Sequence, residues 1–478
     1  MKIRNKLHNG LAQLSLIRQK PIFNKAIIET VILKDPMRNI IIIGNGVAGV
    51  TAARNIRKHS DDAITIISSE TKHFFSRTAL MYIYMGHMKF EHTQPYEDHF
   101  WEKNRITLLH DRVTTIDFAE KRMTMQVEGL LSYDSLVLAL GSKPNKFGWP
   151  GQDLLAVQGL YSYQDLQSME ALSSTTKHAV IVGGGLIGIE MGEMFHTRGI
   201  EVTFLVREAS FWNNVLPPEE SEMINKHIRS RGFKLMLEEE LDTINDDGTG
   251  RVGSVLTKSG ETIACQFVGL TVGVSPNVEF LKESELAINR GIKVNEYFET
   301  NQENVYAIGD CAEFEKAPAS DRRNIEQVWY TGRMHGETLA QTICGKKTAY
   351  KPGVWFNSAK FLEIEYQVYG QVSNFPTEEE EHFYWEHPSG EKSIRLIFHK
   401  EDETLKGINI MGIRYRHEVA DKMIKGKWKR KKVFEELKHA NFDPEFSKRY
   451  EPELVKLYNE RYPSDPIKMK REKILGIF

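Results

Sequence analysis

Cysteine is scarce in this sequence. Three occur in 478 residues, Cys265, Cys311 and Cys344. An odd number at wide spacing excludes a disulfide framework and a zinc-binding pattern. It also excludes a C-x-x-C or C-x-x-x-x-C redox pair. So few thiols suit a reducing compartment, and a cytoplasmic location is the expectation. Long apolar runs are missing as well, each being broken by Gly or a charge before the ~18 residues that a transmembrane helix needs. Neither sign of charge dominates: 63 Lys and Arg stand against 65 Asp and Glu, a formal net charge of −2. Nucleic acid and anionic membrane are therefore not expected as main partners. What is present is an ordinary globular mixture, 41% hydrophobic and 27% charged, in a chain long enough for about three domains at ~150 residues each.

Residues 1–36 carry seven Lys/Arg against Glu29 and Asp35, without the apolar run and small-residue cleavage site of a secretory signal. They read as a loosely ordered basic extension, or as the product of an upstream start codon, since Met37 precedes the first clear strand; a transit peptide is the alternative. From Asn39 to Glu70 the order is apolar β-branched run, glycines, Ala-containing helix, second apolar run. The same order recurs from His178 to Glu208. The chain thus holds two βαβ nucleotide-binding units, and this duplication is its most informative feature.

In the first unit Gly44-x-Gly46-x-x-Gly49 lies between strand and helix. Gly44 suits a tight turn, Gly46 lets backbone approach a pyrophosphate, and Gly49 lets helix and strand pack closely. The helix start, at Val47 and Ala48, presents free N–H groups to phosphate. Glu70, 21 residues beyond Gly49, can accept hydrogen bonds from ribose hydroxyls. The second unit repeats this with Gly183, Gly185 and Gly188 around Leu186 and Ile187. It ends in Arg207 and Glu208: the acid suits a free ribose diol, as in NADH, and the guanidinium suits a 2′-phosphate, as in NADPH. Both cofactors stay open. A third motif, "YAIGDCAE", puts Gly309-Asp310 at a strand end. The expected fold is α/β, with two Rossmann-like dinucleotide-binding domains and a C-terminal α+β domain.

Together these motifs resemble the FAD-dependent pyridine nucleotide-disulfide oxidoreductases, in the branch of the ferredoxin/rubredoxin reductases and the nitrite reductase large subunit. The resemblance implies FAD in the first unit and NAD(P)H as cosubstrate in the second. It implies an FAD-binding domain over 37–152 and 274–347, an NAD(P)-binding domain over 153–273, and an interface domain with a charged tail over 348–478, through which a homodimer would form. Carried over by residue, Gly44, Gly46, Val47, Ala48, Gly49, Glu70, Arg77, Gly141, Gly309 and Asp310 would surround FAD, with Asp310 at the ribityl chain. Gly183, Gly185, Leu186, Ile187, Gly188, Arg207, Glu208 and Gly273 would hold NAD(P)H. Glu190 matches a position near nicotinamide and flavin.

One departure sets the subclass. Residues 71–92 contain no cysteine, whereas thiol-disulfide reductases, NADH oxidases and CoA-disulfide reductases of the family carry one or two there. Cys311 reads as small-residue packing, and "EHPSGE" (386–391) reads as a hairpin turn rather than a His-Glu acid-base pair. The run Lys425–Lys432 has six basic residues in eight; it reads as a solvated helix end or as a docking site for an acidic electron carrier. The expected function is passage of hydride from NAD(P)H to FAD and of electrons to a small carrier. The alternatives are reduction of oxygen, peroxide or a quinone, and a non-enzymatic flavin redox sensor or scaffold.

Overall fold

The computed structural model describes residues 37–468; the basic extension and the last ten residues lie outside them. Two parallel five-stranded sheets carry the glycine motifs. In the first, the strand order is Val305–Ala307, Ser135–Leu138, Asn39–Ile43, Ala63–Ser68, Ile106–His110. In the second it is Lys234–Leu237, Glu201–Val206, His178–Val182, Phe267–Leu270, Val157–Gln158. Ile40, Ile41 and Ile42, and their counterparts Ala179, Val180 and Ile181, are fully buried. That is why both strands read as unbroken apolar runs: a parallel strand is covered on both faces. In each sheet the glycine-bearing strand lies centrally, between the second strand of its βαβ unit and a strand from far downstream. Its C-terminal end is therefore a switch point, where such sheets bind ligands.

The duplication extends to single hydrogen bonds. Gly44 N donates to Ile67 O at 2.8 Å, and Gly183 N to Leu205 O at 2.9 Å. Ala139 N donates to Ile43 O at 2.8 Å, and Thr271 N to Val182 O at 2.9 Å. The two links between the sheets run side by side, Ser142–Pro144 pairing antiparallel with Val274–Pro276. Gly141 and Gly273, both at positive φ (+67° and +88°), precede them.

The C-terminal sheet is antiparallel, in the order Phe356–Phe361, Ile364–Gly370, Leu405–Met411, Ser393–His399, Glu380–Glu386. One face packs with the second nucleotide sheet's core through Ile364, Tyr366 and Val368. The other is covered by helices His417–Lys425, Arg430–Glu436 and Glu451–Arg461, through Met423, Phe434 and Tyr458. The first two of these helices are separated by a turn over Gly426–Lys429. The segment 386–391 does join two strands, with Gly390 at φ +68°. No helix among the described residues is long and apolar enough to cross a membrane.

A buried ion pair ties this sheet to the helix Pro218–Ser230. Arg395 Nε and Nη2 each lie 2.8 Å from the Glu220 carboxylate, which is fully buried, and Nη2 also reaches Glu219 at 2.7 Å. Arg395→Ala would strand Glu220 without its partner, at a cost of about 3–5 kcal/mol. Chemical unfolding should show that loss, whereas the paired replacement Glu220→Leu with Arg395→Met should recover most of it.

Candidate functional site

A cavity of about 1050 Å³ lies at the C-terminal end of the first sheet. Gly44, Gly46, Val47 and Ala48 line it, as do Glu70, Arg77, Gly141, Gly309 and Asp310. Nine of the ten residues expected around FAD therefore share one wall; Gly49, the tenth, packs behind it. The three glycines divide the work as their spacing predicts. Gly44 has φ +113°, and a Cβ there would stand 2.1 Å from Ala139 O. A Cβ on Gly49 would meet Gly44 O at 2.1 Å. A Cβ on Gly46 would have nothing within 4 Å and would project into space bordered by the cavity. The helix Val47–His59 begins at Gly46 with no side-chain cap and no acid in its first turn. Its N-terminal positive end stays available to an anion.

The second motif has the same construction. Gly183 has φ +115°, with its would-be Cβ 2.6 Å from Thr271 O, and that of Gly188 would lie 2.8 Å from Gly183 O. At Gly185 the nearest atom is Trp212 Cδ1, at 3.9 Å. The helix Leu186–Thr197 also starts uncapped and without an acid. Arg207 and Glu208 form an ion pair at 2.8 Å beyond the neighbouring strand, and Gly273 sits at the return link. Of this motif, Ile187 and Glu190 reach the cavity wall. The helix of the second unit thus borders the space opened by the first.

Glu190 is strongly altered by its surroundings. Burial, with the nearby Glu193 carboxylate adding to it, pushes its carboxyl up to about 7. A raised carboxyl makes the folded state hold a proton that the unfolded chain releases. The folded state is thus favoured at acid pH, and that advantage is lost as pH rises through about 7. Glu190→Gln should therefore raise the melting temperature above wild type at pH 8.5 and leave it unchanged near pH 4. Equal differences at both pH values would contradict the assignment.

Arg77 and Glu70 are coupled to each other. Arg77 Nη1 and Nη2 lie 2.9 and 2.6 Å from the two Glu70 oxygens, and Tyr163 N donates to Glu70 Oε1 at 2.8 Å. Arg77 also donates to Tyr161 O, with its guanidinium 4.4 Å from the Tyr161 ring. Burial works against this charge, but Glu70 more than offsets it and holds Arg77 above its ordinary value. Both residues line the cavity, yet they also clamp the turn after the first βαβ unit to the segment Tyr161–Tyr163 that leads toward the second. Glu70 Oε1 is filled by Arg77 and Tyr163, whereas Oε2 accepts only from Arg77 and keeps a lone pair for a ribose hydroxyl.

Asp310 receives Ser142 Oγ at 3.1 Å and faces Tyr161 OH at 3.5 Å, and burial raises its carboxyl. Ser142 Oγ in turn accepts from Gln327 Nε2 at 2.9 Å, and Tyr161 OH accepts from Ser142 N at 2.9 Å. Ser142, Tyr161 and Gln327 line the cavity beside Trp329 and Phe280, and sequence reasoning missed all five. Cys311 lies behind this wall, fully buried; burial pushes its thiol up to about 12, and its Sγ contacts Leu138 O and Ile308 O. A protonated, enclosed thiol suits packing, as its sequence position suggested.

A family model described as pyridine nucleotide-disulphide oxidoreductase matches residues 38–336. The chain belongs to the pyridine nucleotide-disulphide oxidoreductase family. Its members bind FAD and use NAD(P)H. Among curated relatives of this family member, a nitrite reductase [NAD(P)H] of Bacillus subtilis (strain 168) is 29% identical over 385 residues, 78% of this chain and 44% of that protein. The chain thus spans less than half the length of that relative. A nitric oxide reductase FlRd-NAD(+) reductase of Shigella dysenteriae serotype 1 (strain Sd197) is 30% identical over 336 residues, 70% of this chain and 86% of that protein. The solved ferredoxin reductase of Rhodopseudomonas palustris shares the fold, with a TM-score of 0.72 at 22% identity, covering 78% of this chain and 91% of that one. The cavity fits the family's flavin cofactor: it has an uncapped helix end for pyrophosphate, a glycine whose side chain would fill the cradle, and a carboxylate to accept hydroxyl hydrogen bonds.

The basic run Lys425–Lys432 is largely engaged by the protein itself. Lys425 pairs with Asp421, Arg430 with Glu381 and Glu403, and Lys431 with Asp465, while Lys432 Nζ lies 4.1 Å from the Trp428 ring centre. Lys427 and Lys429 form no ion pair among the described residues. The run's net attraction for an acidic surface is therefore smaller than its count of charges suggests.

Proposed function

We propose that this chain is an FAD-dependent NAD(P)H oxidoreductase that delivers electrons to a small electron-carrier protein. The observation that carries the reading is that Ile187 and Glu190, from the helix of the second glycine motif, form part of the cavity wall to which the first motif contributes Gly44–Ala48. Two dinucleotide sites built on separate sheets therefore converge on one space. FAD, when bound, accepts hydride from NAD(P)H and can release electrons one at a time. The chain's own contribution is placement. Gly46 and the helix start hold a pyrophosphate, Asp310 and Ser142 hold hydroxyl groups, and Gly185 with its helix start holds the second dinucleotide. Glu190 keeps a proton near neutral pH and so adds no full negative charge where the two sites meet.

No cysteine lines the cavity, so electrons have no thiol relay and must leave at the cavity mouth. Trp329 and Phe280, 37% and 41% exposed, stand at that wall. The names of relatives support a carrier as acceptor: one is a FlRd-NAD(+) reductase and a structural neighbour is a ferredoxin reductase. Lys427 and Lys429 remain available to an acidic carrier, and a homodimer through the C-terminal domain is part of the same reading. The test is an acceptor panel after anaerobic reduction by NADH or NADPH. Reoxidation by a ferredoxin, rubredoxin or flavodoxin should outpace reoxidation by air or quinone. Faster turnover with oxygen would make the chain an oxidase, and a reduced state that no acceptor discharges would make it a sensor.

A further inference from the structure

Behind the cavity wall lies a fully buried polar chain that the function above does not use. His335, on the helix Trp329–Ile343, is wholly inaccessible, and its Nδ1 accepts the Gly309 N–H at 3.1 Å. Its Nε2 faces Glu326 Oε2 at 3.4 Å, an electrostatic contact that falls short of hydrogen-bond geometry. Glu326 is held in turn by Arg322 Nη1 at 3.0 Å and Tyr350 OH at 2.8 Å. Arg322 also donates to Pro352 O and Gly353 O, both at 3.2 Å. Arg322, Glu326 and His335 are each at most 3% exposed. So much buried charge is costly, the more so because Arg322 Nε and His335 Nε2 have no hydrogen-bond partner, and it is not what packing alone would select.

The geometry fixes the imidazole's state. An Nδ1 that accepts from a backbone N–H must present its lone pair, so the ring proton sits on Nε2, facing the Glu326 carboxylate. The N–H it receives belongs to Gly309, which holds φ +72° and immediately precedes Asp310. A Cβ on Gly309 would press against Ala48 Cβ at 3.0 Å, so this turn sits directly against the start of the first glycine-motif helix.

We propose that His335, oriented by Glu326, is a positioning residue for FAD: it pins the left-handed turn at Gly309 and thereby aims the Asp310 carboxylate into the cavity. This rests on the reading of the cavity as the FAD site. Glu326 sets the tautomer, the tautomer sets the acceptor, and the acceptor sets the turn. Removing the acceptor leaves a buried N–H unpaired and frees the turn to rotate Asp310 away.

The test compares two replacements that both delete the ring. His335→Asn places an amide oxygen near the Nδ1 position and keeps the acceptor for Gly309. His335→Gln reaches toward Glu326 and leaves Gly309 without one. Release of FAD from the holoprotein, followed by recovery of flavin fluorescence on dilution, should be about tenfold faster in His335→Gln and within about twofold of wild type in His335→Asn. The visible circular dichroism of the flavin should change in the first and not in the second. A packing role would instead slow or speed release equally in both, or leave both unchanged, and either result overturns the proposal. Combining His335→Gln with Asp310→Asn should add little to Asp310→Asn alone; additive losses would show that the two act separately. If His335→Gln does not fold, Glu326→Gln serves as the second arm, because an amide no longer enforces the Nε2–H tautomer. FAD release should then quicken about threefold, and an unchanged rate overturns the proposal. Wild-type protein that takes up no FAD would refute the cavity assignment itself, which these comparisons leave distinct.

Discussion

Gly46→Val is expected to give a folded, colourless protein. At this residue φ is −71° and ψ −179°, a backbone that any residue adopts, and a Cβ would meet no protein atom within 4 Å. The fold therefore has no reason to object, and unfolding stability should stay within about 0.5 kcal/mol of wild type. The side chain would instead occupy the approach to the uncapped helix end, where a pyrophosphate must come close to backbone. FAD affinity should fall by at least about a hundredfold. Absorbance near 450 nm, about where a flavin absorbs, reads the first effect and thermal unfolding the second. The contrast is Gly44→Val, whose Cβ would stand 2.1 Å from Ala139 O at φ +113°. That variant should fail to fold, so the two neighbouring glycines separate binding from architecture.

Gly185→Val should do the converse. Its backbone is extended, with φ −122° and ψ −174°, and its would-be Cβ clears Trp212 by 3.9 Å. The first site is untouched, so the protein should purify yellow with normal flavin content. Reduction by NADH or NADPH should slow by about a hundredfold or more, because the second dinucleotide loses its backbone cradle. Dithionite should still bleach it. Loss of flavin together with NAD(P)H reduction would contradict the assignment of two separate sites.

These two variants were legible in the sequence because a glycine motif encodes its geometry locally. Turn, close approach and helix packing are set within six residues, and the flanking strands are buried on both faces, so their apolar runs stand out. The rest of the site is assembled from distant segments. Ser142 reaches Asp310 and Gln327 across 168 and 185 residues of chain, and neither Ser nor Gln stands out in a loop. Tyr161 is one aromatic among many in the sequence, yet it touches Gly141, Arg77 and Asp310 at once. Glu70 was legible as an acid at the right distance, while its pairing with Arg77 depends on how the turn over residues 71–76 folds back. The basic run shows the opposite failure: its charges are obvious, but their partners Asp421, Glu381, Glu403 and Asp465 are scattered, so the sequence overstates the free positive surface. His335 gave no signal, because a lone histidine on a helix acquires its role from Gly309 and Glu326, neither of which is its neighbour in sequence.

One space served by two dinucleotide sites is the central claim. Anaerobic titration of the purified protein with NADH and with NADPH, followed in the visible range, tests that directly. About one flavin per chain is expected, with full bleaching by at least one of the two nucleotides. A folded protein that carries no flavin and takes none up from added FAD would contradict it.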